Sequence, residues 1–548
     1  MQKLSGIAVV GALLALLGTP FSALAQAAQD PQPMVPPPIP PSMQGTIDLS
    51  LREAIALGIE NNLDIEVSRH TPFIANEEHN AAWGAFDPNF SSQFTHTDAK
   101  TPSVNPFVGN AGGLLAGGAP PLTASTVAQR ETGGQASLAG LLPKLGWQYD
   151  VTYTGKKTIN NNTFLQPLQP EYDVSLFATG TLPILKGFLW GEPWVQVETS
   201  GIGTGIAFQQ FRKSLMDVVR SIEASYWDLA ARREDLAVAH KSQETSKALV
   251  RQTQAQYEVG VVSKVEVTEA EAGLADRDFS LITAKNRYRA AQDRFLDQVF
   301  GTYFTPTTTL TVNLKDKAEN YRVFDVDEAE AAQKAFAHRP ELEIAKDQTD
   351  QQKVLLKFAK NQRLPQLDLT GSYGWTGLSG EGFNRGSGDF SGNYAAAHND
   401  FGFGNRRTFS AGVLFSVPIG NTAGRASVMK SKLELHRQTT QTHRLEQSII
   451  LEVRDAVRNL RSALEGIEAA KRGVDAAAEQ LRAEQIRLEH GESTPFDVLL
   501  REQDRTSAET KLITAYQIYH DSVAALDRSQ GTILRDRNVV VEQALPMR

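Results

Sequence analysis

The chain has 548 residues, a formal net charge of −8 and no cysteine. The acidic balance argues against nucleic acid as a partner. Without cysteine, disulfide bonds, thiol catalysis, thiolate metal sites and lipidation of a mature N-terminal cysteine are excluded, so we expect a protein that is not lipidated.

Residues 1–25 have the pattern of a secretory signal peptide. Lys3 supplies a positive charge, an apolar run extends from Ile7 to Leu17, and Ala23-Leu24-Ala25 is a small-residue cleavage site. The apolar run is shorter than the roughly 20 residues of a bilayer-spanning helix, so we favour cleavage over the alternative of a membrane anchor. Residues 26–46 are rich in proline and are predicted to form an extended linker without a core.

A helical pattern gives way to alternating residues at a proline in two places. The first helical pattern covers Leu51 to Ala82 and is followed by Asp87-Pro88; the second covers Ala329 to Lys360 and is followed by Leu364-Pro365. Because proline disfavours the helical conformation in the residue before it, we predict that a helix passes into a strand at both places.

The predicted strands alternate apolar or aromatic residues with small polar ones, which is typical of a membrane barrel with a polar lumen. The alternating segments are Ser91 to Thr97, Gln148 to Thr154, Tyr172 to Thr179, Asp368 to Trp375 and Arg407 to Phe415. The connections Asn105 to Gly118, Asn160 to Asn162 and Gly377 to Asn399 are rich in glycine and asparagine and are predicted to lie outside the membrane. Two strands in each half give about four strands per chain, too few to close a barrel, so the chain is predicted to assemble with copies of itself.

Long helices are predicted after the strands of each half. The first extends from about Trp194 to Val259, roughly 65 residues and on the order of 100 Å. Gly201, Gly203 and Gly205 are expected to weaken or bend its first turns. Apolar residues spaced by three and four predict a coiled-coil seam in each half. The seam residues are Phe208, Phe211, Leu215, Val218, Ile222, Ser225 and Leu229, then Val453, Val457, Leu460, Leu464, Ile467, Lys471, Val474, Ala478 and Leu481.

Two turns between long helices repeat the same sequence pattern. A glycine, a serine and an acid recur in Tyr257 to Val267 and in Leu488 to Val498, and the acid follows the glycine by 6 positions in each. We interpret this as a tandem duplication of a helical hairpin. The predicted domains are a first repeat over 47–300, a connector over 301–325, a second repeat over 326–535 and a C-terminal tail over 536–548.

These motifs, in this order and in two copies, resemble the TolC-like outer-membrane efflux proteins over nearly the whole mature chain. Besides the doubled turns, the matching motifs are Leu364-Pro365-Gln366-Leu367-Asp368-Leu369, Leu182-Pro183-Ile184-Leu185-Lys186-Gly187, Val417-Pro418-Ile419 and Ala224-Ser225-Tyr226-Trp227-Asp228-Leu229. The resemblance implies a mixed α and β fold with a duplicated helix-strand-strand-helix-helix repeat. As a homotrimer this fold would form one twelve-stranded transmembrane β-barrel continued by a long periplasmic α-helical barrel, with the connector in its equatorial region.

The resemblance also implies a function. The chain would be the exit duct of a tripartite efflux or type I secretion system, located in the outer membrane and extending into the periplasm. It would receive substrates from an inner-membrane pump of RND, ABC or MFS type through a periplasmic adaptor. It would contact outer-membrane lipid, hold no cofactor or metal and catalyse no reaction. The cargo, the pump and the adaptor are left open.

The resemblance places an acidic ring at the closed periplasmic tip, at Asp497. Like charges near one axis repel each other and attract cations, so such a ring acts as a gate. Leu500 stands where some members have a second acid, which suggests an apolar ring that gates by dewetting behind the charged one. The alternative is that Asp497 caps the returning helix, and the two roles are compatible.

Both turns resemble the family's contacts for the adaptor. The residues are Val259, Gly260 and Val261 in the first turn and His490, Gly491 and Glu492 in the second. A plain helix reversal is the alternative, since it requires glycine at a positive φ. Glu266 mirrors Asp497 and is interpreted as an outer-ring or capping acid.

Other sites and other classes of protein are less well supported. His436 and His443 have no metal-ligand spacing, Gly201-Ile202-Gly203-Thr204-Gly205 lacks the preceding strand of a dinucleotide site, and no nucleophile elbow is present. The main alternative is a soluble periplasmic coiled-coil scaffold or adaptor, which would share the signal peptide and the heptads but would not need the strands. An exported enzyme comes third because no catalytic constellation supports it.

Overall fold

The structure is a computed structural model that describes residues 44–103, 125–160, 168–384, 388–390, 392–402 and 406–539. The predicted signal peptide, most of the predicted linker, the connection Asn105 to Gly118 and the end of the predicted tail lie outside the described residues. The described chain divides into two compact units. One unit comprises the described residues from 78 to 200 and from 352 to 435, and the other comprises those from 44 to 77, 201 to 351 and 436 to 539.

The described residues form β-strands and α-helices, which are numbered here in chain order. The strands are β1 (Gln44–Leu49), β2 (Asn89–Ser103), β3 (Ser125–Leu141), β4 (Gln148–Asn160), β5 (Glu171–Pro183), β6 (Thr309–Leu314), β7 (Gln366–Gly380), β8 (Gly382–Asn384), β9 (Gly388–Phe390) and β10 (Arg407–Ser416). The helices are α1 (Leu51–Asn61), α2 (Leu63–Trp83), α3 (Glu192–Glu258), α4 (Lys264–Phe300), α5 (Glu328–His338), α6 (Pro340–Gln362), α7 (Tyr394–Gly402), α8 (Thr422–Glu489), α9 (Pro495–Gln530) and α10 (Ile533–Asp536).

The first unit contains a six-stranded sheet in the order β10-β7-β5-β4-β3-β2, and all neighbouring strands are antiparallel. All five predicted segments lie in its strands, but the estimate of about four strands per chain was wrong. The strand that the sequence did not reveal is β3. Its pattern is interrupted by Arg130, Glu131 and the pair Gly133-Gly134, which obscure the alternation.

The sheet has one apolar and one polar face, because successive side chains in a strand point to opposite sides. A row of directly paired residues on the apolar face crosses all the strands: Phe90, Leu138, Val151, Ala178, Tyr373 and Phe409. A row on the polar face is formed by Gln93, Gln135, Thr154, Ser175 and Thr376. The two-faced pattern predicted for a membrane wall is therefore present in this sheet.

The connection from β7 to β10 has more structure than the sequence suggests. The strands β8 and β9 pair with each other, and the short helix α7 packs against the apolar face of the sheet. The hydroxyl of Tyr153 lies 2.6 Å from Nε2 of His398, and the rings of Tyr172 and Tyr394 are 4.9 Å apart. The predicted connection Gly377 to Asn399 therefore includes the end of β7, both short strands and the start of α7.

The second unit has two cores that are built from equivalent helices of the two halves. The first contains Ile55 of α1, Leu215 and Ile222 of α3, and Phe295 of α4, together with residues of the parallel pair β1–β6. The second joins α5, α8 and α9, and its buried side chains include Ala335, Ile449, Val457, Leu460 and Tyr519. This correspondence agrees with the predicted duplication. β1 begins at Gln44, so the strand includes the last residues of the predicted linker.

The two helices that lead to the sheet are each broken, which corrects the prediction of single helices. Between α1 and α2, Oδ1 of Asn62 accepts hydrogen bonds from the backbone N–H groups of Asp64 and Ile65 at 2.9 and 3.2 Å, so a new helix starts there. Between α5 and α6 the break is at Arg339, and Pro340 opens the second helix. Both passages from helix to strand are confirmed, since β2 and β7 follow within a few residues.

The predicted long helices are also confirmed. α3 has 67 residues and continues without interruption through Gly201, Gly203 and Gly205, while α8 has 68. At 1.5 Å per residue each is about 100 Å long. Five residues of the predicted seam are in none of the apolar cores of the described chain: Phe208, Ser225, Lys471, Val474 and Ala478. The ammonium of Lys471 lies 5.0 Å from the centre of the Tyr321 ring. No stretch of described helix combines the length and hydropathy that a bilayer crossing needs.

Candidate functional site at the two helical turns

The turn after α3 closes with a pair of backbone hydrogen bonds. The N–H of Val261 donates to the carbonyl of Gln256 at 2.9 Å, and that of Gly260 donates to the carbonyl of Tyr257, also at 2.9 Å. This is the Schellman arrangement, in which the residue after the helix adopts a left-handed conformation. Gly260 has φ +77° and meets this requirement without a Cβ penalty.

The turn after α8 repeats the same arrangement. The N–H of Glu492 donates to the carbonyl of Arg487 at 2.8 Å, and that of Gly491 donates to the carbonyl of Leu488 at 3.0 Å. Gly491 has φ +76°. A Cβ at this glycine would have no neighbour within 4 Å in the described part of the chain. The backbone conformation, and not a lack of space, therefore requires glycine.

Each returning helix begins with the same cap. Oγ of Ser263 accepts a hydrogen bond from the N–H of Glu266 at 3.4 Å, and Oγ1 of Thr494 accepts one from the N–H of Asp497 at 3.3 Å. Thr494 is thus the counterpart of Ser263. The serine that seemed to recur, Ser493, instead donates to a carboxylate oxygen of Glu484, so matching it with Ser263 was wrong.

Asp497 completes a capping box with Thr494. One of its carboxylate oxygens accepts from Oγ1 of Thr494 at 2.7 Å and from the N–H of Thr494 at 3.3 Å. These two bonds, with a smaller contribution from the charge of Arg487, hold the pKa of Asp497 below its ordinary value. Asp497 therefore caps α9 and stays ionised at neutral pH, while its role in a gate stays a prediction.

The exposed side chains of the two turns differ in chemistry. In the first turn Val259 is 75% exposed and Val261 is 71% exposed. The same positions in the second turn are occupied by His490 and Glu492, which are also exposed. One tip is thus apolar and the other is polar and ionisable. Leu500, one helical turn beyond Asp497, is 43% exposed.

An apolar cluster lies beneath the second tip and joins the two hairpins. It contains Leu249 of α3, Leu481 and Leu488 of α8, and Val498 and Leu499 of α9. Leu499 also packs against Gly273 of α4, where a Cβ would be 2.7 Å from Cδ1 of the leucine. Leu499 is a functional residue that the sequence pattern does not distinguish, although it lies next to Leu500 of the predicted gate. We find that the tip hairpins are held together here.

A buried acid follows this cluster along α9. Glu502 is 4% exposed, and its Oε2 has no hydrogen-bond partner among the residues that the structure describes. Burial raises the pKa of this carboxyl, although the charge of Arg505 opposes the shift. The sequence offers a weak sign of this residue, an acid within one turn of the Val498-Leu499 pair. Within the described ranges, no three His, Asp or Glu side chains are grouped so that they could hold a metal ion.

Comparison with known proteins identifies the family of the chain through a family model. The family model described as outer membrane efflux protein matches residues 119–301 and 331–532. No curated protein matches the chain in sequence. The similar solved structures include the CmeC outer membrane channel of Campylobacter jejuni, with 16% identity, a TM-score of 0.61 and coverage of 88% of this chain and 86% of that one.

Two other solved structures have a similar fold. The open state of the MtrE outer membrane channel of Neisseria gonorrhoeae has 14% identity and a TM-score of 0.58, with coverage of 88% of this chain and 89% of that one. The outer membrane protein VceC of Vibrio cholerae has 13% identity and a TM-score of 0.58, with coverage of 88% and 96%. At these identities the likeness concerns the fold.

Proposed function

The chain belongs to the outer membrane efflux protein family, and from this premise we propose that it is the exit duct of a tripartite efflux or type I secretion system. The family is one of outer-membrane channels and not of enzymes. The observation that carries the proposal is the sheet with one apolar and one polar face, which is the pattern of a membrane wall around a wet lumen.

The proposed duct is a homotrimer that extends from the outer membrane into the periplasm. Its long helices, of 67 and 68 residues, have the length needed for such an extension. An inner-membrane pump of RND, ABC or MFS type would deliver substrates through a periplasmic adaptor. The main alternative is a soluble periplasmic scaffold. Such a protein would not be expected to have a sheet whose apolar face exposes aromatic side chains such as Phe94 and Phe409 to water.

We place the gate at Asp497, with Leu500 as an apolar ring one turn behind it. Asp497 remains negative at neutral pH because its hydrogen bonds with Thr494 favour the carboxylate. In a trimer the carboxylates of three copies near one axis would attract cations and hinder anions. The cap and the gate use the same carboxylate, since a capping oxygen still presents its charge to solvent.

We place adaptor docking on the exposed tips. Val259, Gly260 and Val261 offer an apolar contact, and His490, Gly491 and Glu492 offer a polar one. The first turns of α4, which Ser263 caps, also border a shallow surface depression that includes Lys264, Val265 and Glu269. A helical hairpin of an adaptor would find both kinds of surface within one protomer.

The experiment is cation block of single channels in planar lipid bilayers, with a multivalent cation on the side of the helical tips. Asp497→Asn is expected to weaken the block because it removes the charge of the ring. The matched control is Glu266→Gln, which removes the charge of the acid three residues after the N-cap Ser263 of the other hairpin. Equal effects of the two variants would contradict the gate. A wild-type protein that stays soluble without detergent and never inserts would favour the scaffold.

A further inference from the structure

One part of the sheet differs between the two halves of the internal repeat. β2 and β7 each follow a helix that ends near a proline, and β5 and β10 each lead into a long helix. These strands are therefore counterparts in the two halves. Between β2 and β5 the first half has a further hairpin, formed by β3 and β4. Among the described residues, the second half has no counterpart of it in the sheet.

This hairpin lies inside the sheet and is hydrogen-bonded on both sides. β3 pairs with β2 over the whole length of β2, from Asn89 opposite Ala139 to Ser103 opposite Ser125. β4 pairs with β5 from Gln148 opposite Thr181 to Thr158 opposite Glu171. A flap outside the membrane would not need such pairing, so the hairpin is part of the wall.

The hairpin also continues both faces of the wall. Leu138 and Val151 are paired on the apolar face, and Gln135 and Thr154 are paired on the polar face. Since the side-chain period of a strand is two, a hairpin with this alternation in this register places its apolar side chains with those of the neighbouring strands. Tyr153 of β4, which is on the same face as Val151, contacts α7, so α7 covers that part of the apolar face. The rest of the hairpin has the chemistry of a lipid-facing and lumen-facing wall.

The edges of the sheet are suited to pairing with further copies of the chain. Within the described residues, β2 and β10 each have a partner strand on one side only. An even number of alternating strands makes these two edges antiparallel, so β2 of one copy pairs with β10 of the next in a head-to-tail ring. Phe90 and Phe409 are the last residues of the apolar row at the two edges, and they are 56% and 73% exposed. Pairing of β2 with β10 of the next copy therefore continues the apolar face from one copy to the next.

We propose that the β3–β4 hairpin widens the outer-membrane pore, because three copies of this six-stranded sheet close into one barrel of eighteen strands, six more than the twelve that the family resemblance implies. This inference rests on the proposed trimeric duct. Barrel diameter grows roughly in proportion to strand number, so the barrel is about 1.5-fold wider than a twelve-stranded one. Barrels of about this size leave an aqueous channel. The outer opening then admits bulky solutes, and selection rests with the helical tips.

The main test is a deletion of residues 125–160. The hairpin starts and ends at the same edge of the sheet, so the deletion connects β2 directly to β5. These two strands are already antiparallel, and their apolar side chains already lie on the same face of the sheet. The readout is the exclusion of polyethylene glycols of increasing size, added only on the barrel side of a planar bilayer, from the conducting pore. We expect the threshold radius to fall by about 1.5-fold in the deletion variant. The threshold from the side of the helical tips is the internal control and should not change.

Equal thresholds on the barrel side for the two proteins would overturn the inference while leaving the duct intact. A wild-type protein that does not conduct at all would instead contradict the proposed function.

A second test does not depend on the deletion variant folding. The chain has no cysteine, so Phe94→Cys in β2 is combined in turn with Phe409→Cys, Ala411→Cys and Val413→Cys in β10. At least one pair is expected to cross-link neighbouring copies into covalent dimers and trimers. The control pairs Phe94→Cys with Val151→Cys, which lies in the middle of the sheet. Closure into rings of two copies, which gives twelve strands, or the absence of any cross-link, would overturn the proposal.

Discussion

Single residues determine the shape of the two helical turns. Gly260 and Gly491 have almost the same positive φ, and their surroundings leave room for a side chain. The positive φ of both glycines was predictable from the sequence, because a glycine between two long helical patterns is a local sign of a helix reversal. The sequence could not predict Glu502 as a buried acid, since that burial depends on packing against another hairpin.

The first prediction at this scale concerns Gly491→Ala. A Cβ at φ +76° is strained, at a cost of about 1 to 2 kcal/mol. We expect hydrogen exchange of the last turn of α8 to become about fivefold faster or more. The control is Gly466→Ala in the middle of α8, which also has open space around its Cβ and should not speed exchange. Similar acceleration by both variants would refute the argument.

The second prediction concerns the charge of Asp521. Burial, with the charge of Asp228 nearby, raises the pKa of Asp521 to about 6. The charges of Arg220 and Glu223 act in opposite directions on it. The folded state therefore binds the proton more tightly than the unfolded state, and the stability gained from protonation is lost as pH rises through about 6. Asp521→Asn should raise the melting temperature more at pH 7.5 than at pH 5, and should change it little only below the ordinary value of 3.8, where the carboxyl is protonated in both states.

Glu341 provides the control with the opposite sign. Its side chain lies 3.2 Å from Arg339 and 2.9 Å from Arg528, and these arginines outweigh its burial and lower its pKa to about 2. Both test values lie above this pKa, so Glu341→Gln should lower the melting temperature at pH 7.5 and at pH 5 alike. If Asp521→Asn gave the same change at both pH values, the burial argument for Asp521 would fail.

Elements meet at the tip through one close contact. Leu499 of α9 lies against Gly273 of α4, so adding a methyl group at Gly273 forces the leucine to move. We predict that Gly273→Ala destabilises the N-terminal part of α9 and that Leu499→Ala does so as well. The destabilisation of the double variant should be smaller than the sum of those of the two single variants, because alanine at position 499 leaves room for the methyl group of alanine at position 273. Hydrogen exchange of α9 measures this coupling, and strict additivity would count against it.

The elements themselves could be predicted to different degrees. The long helices and the helix-to-strand passages were predictable, because proline and apolar spacing are local signs. β3 was not, because Arg130, Glu131 and two glycines interrupt its alternation and its identity depends on pairing with β2 and β4. The break at Asn62 was missed because the helical sequence pattern continues across it. Only the side chain of Asn62, which accepts a hydrogen bond from the next helix, marks the interruption.

At the scale of the whole molecule, the strand directions predict the topology in the membrane. β2, β4 and β7 end at one edge of the sheet, and the segments 104–124, 161–167 and 381–406 connect to it. An epitope inserted within 161–167 is expected to be labelled on intact cells. An epitope inserted after Gly491 should be labelled only after the outer membrane is opened. Labelling of both on intact cells would show that the proposed orientation is wrong.

The shared backbone of the two turns has a consequence for any partner. Because Gly260 and Gly491 give the hairpins the same form, shape alone cannot distinguish one from the other, and discrimination falls to the side chains beside the glycines. In the proposed trimer, turns that carry valine would alternate with turns that carry histidine and glutamate. A partner that binds all the turns must present two different binding surfaces in alternation. A partner with one type of binding surface would occupy every second turn and leave the others unbound.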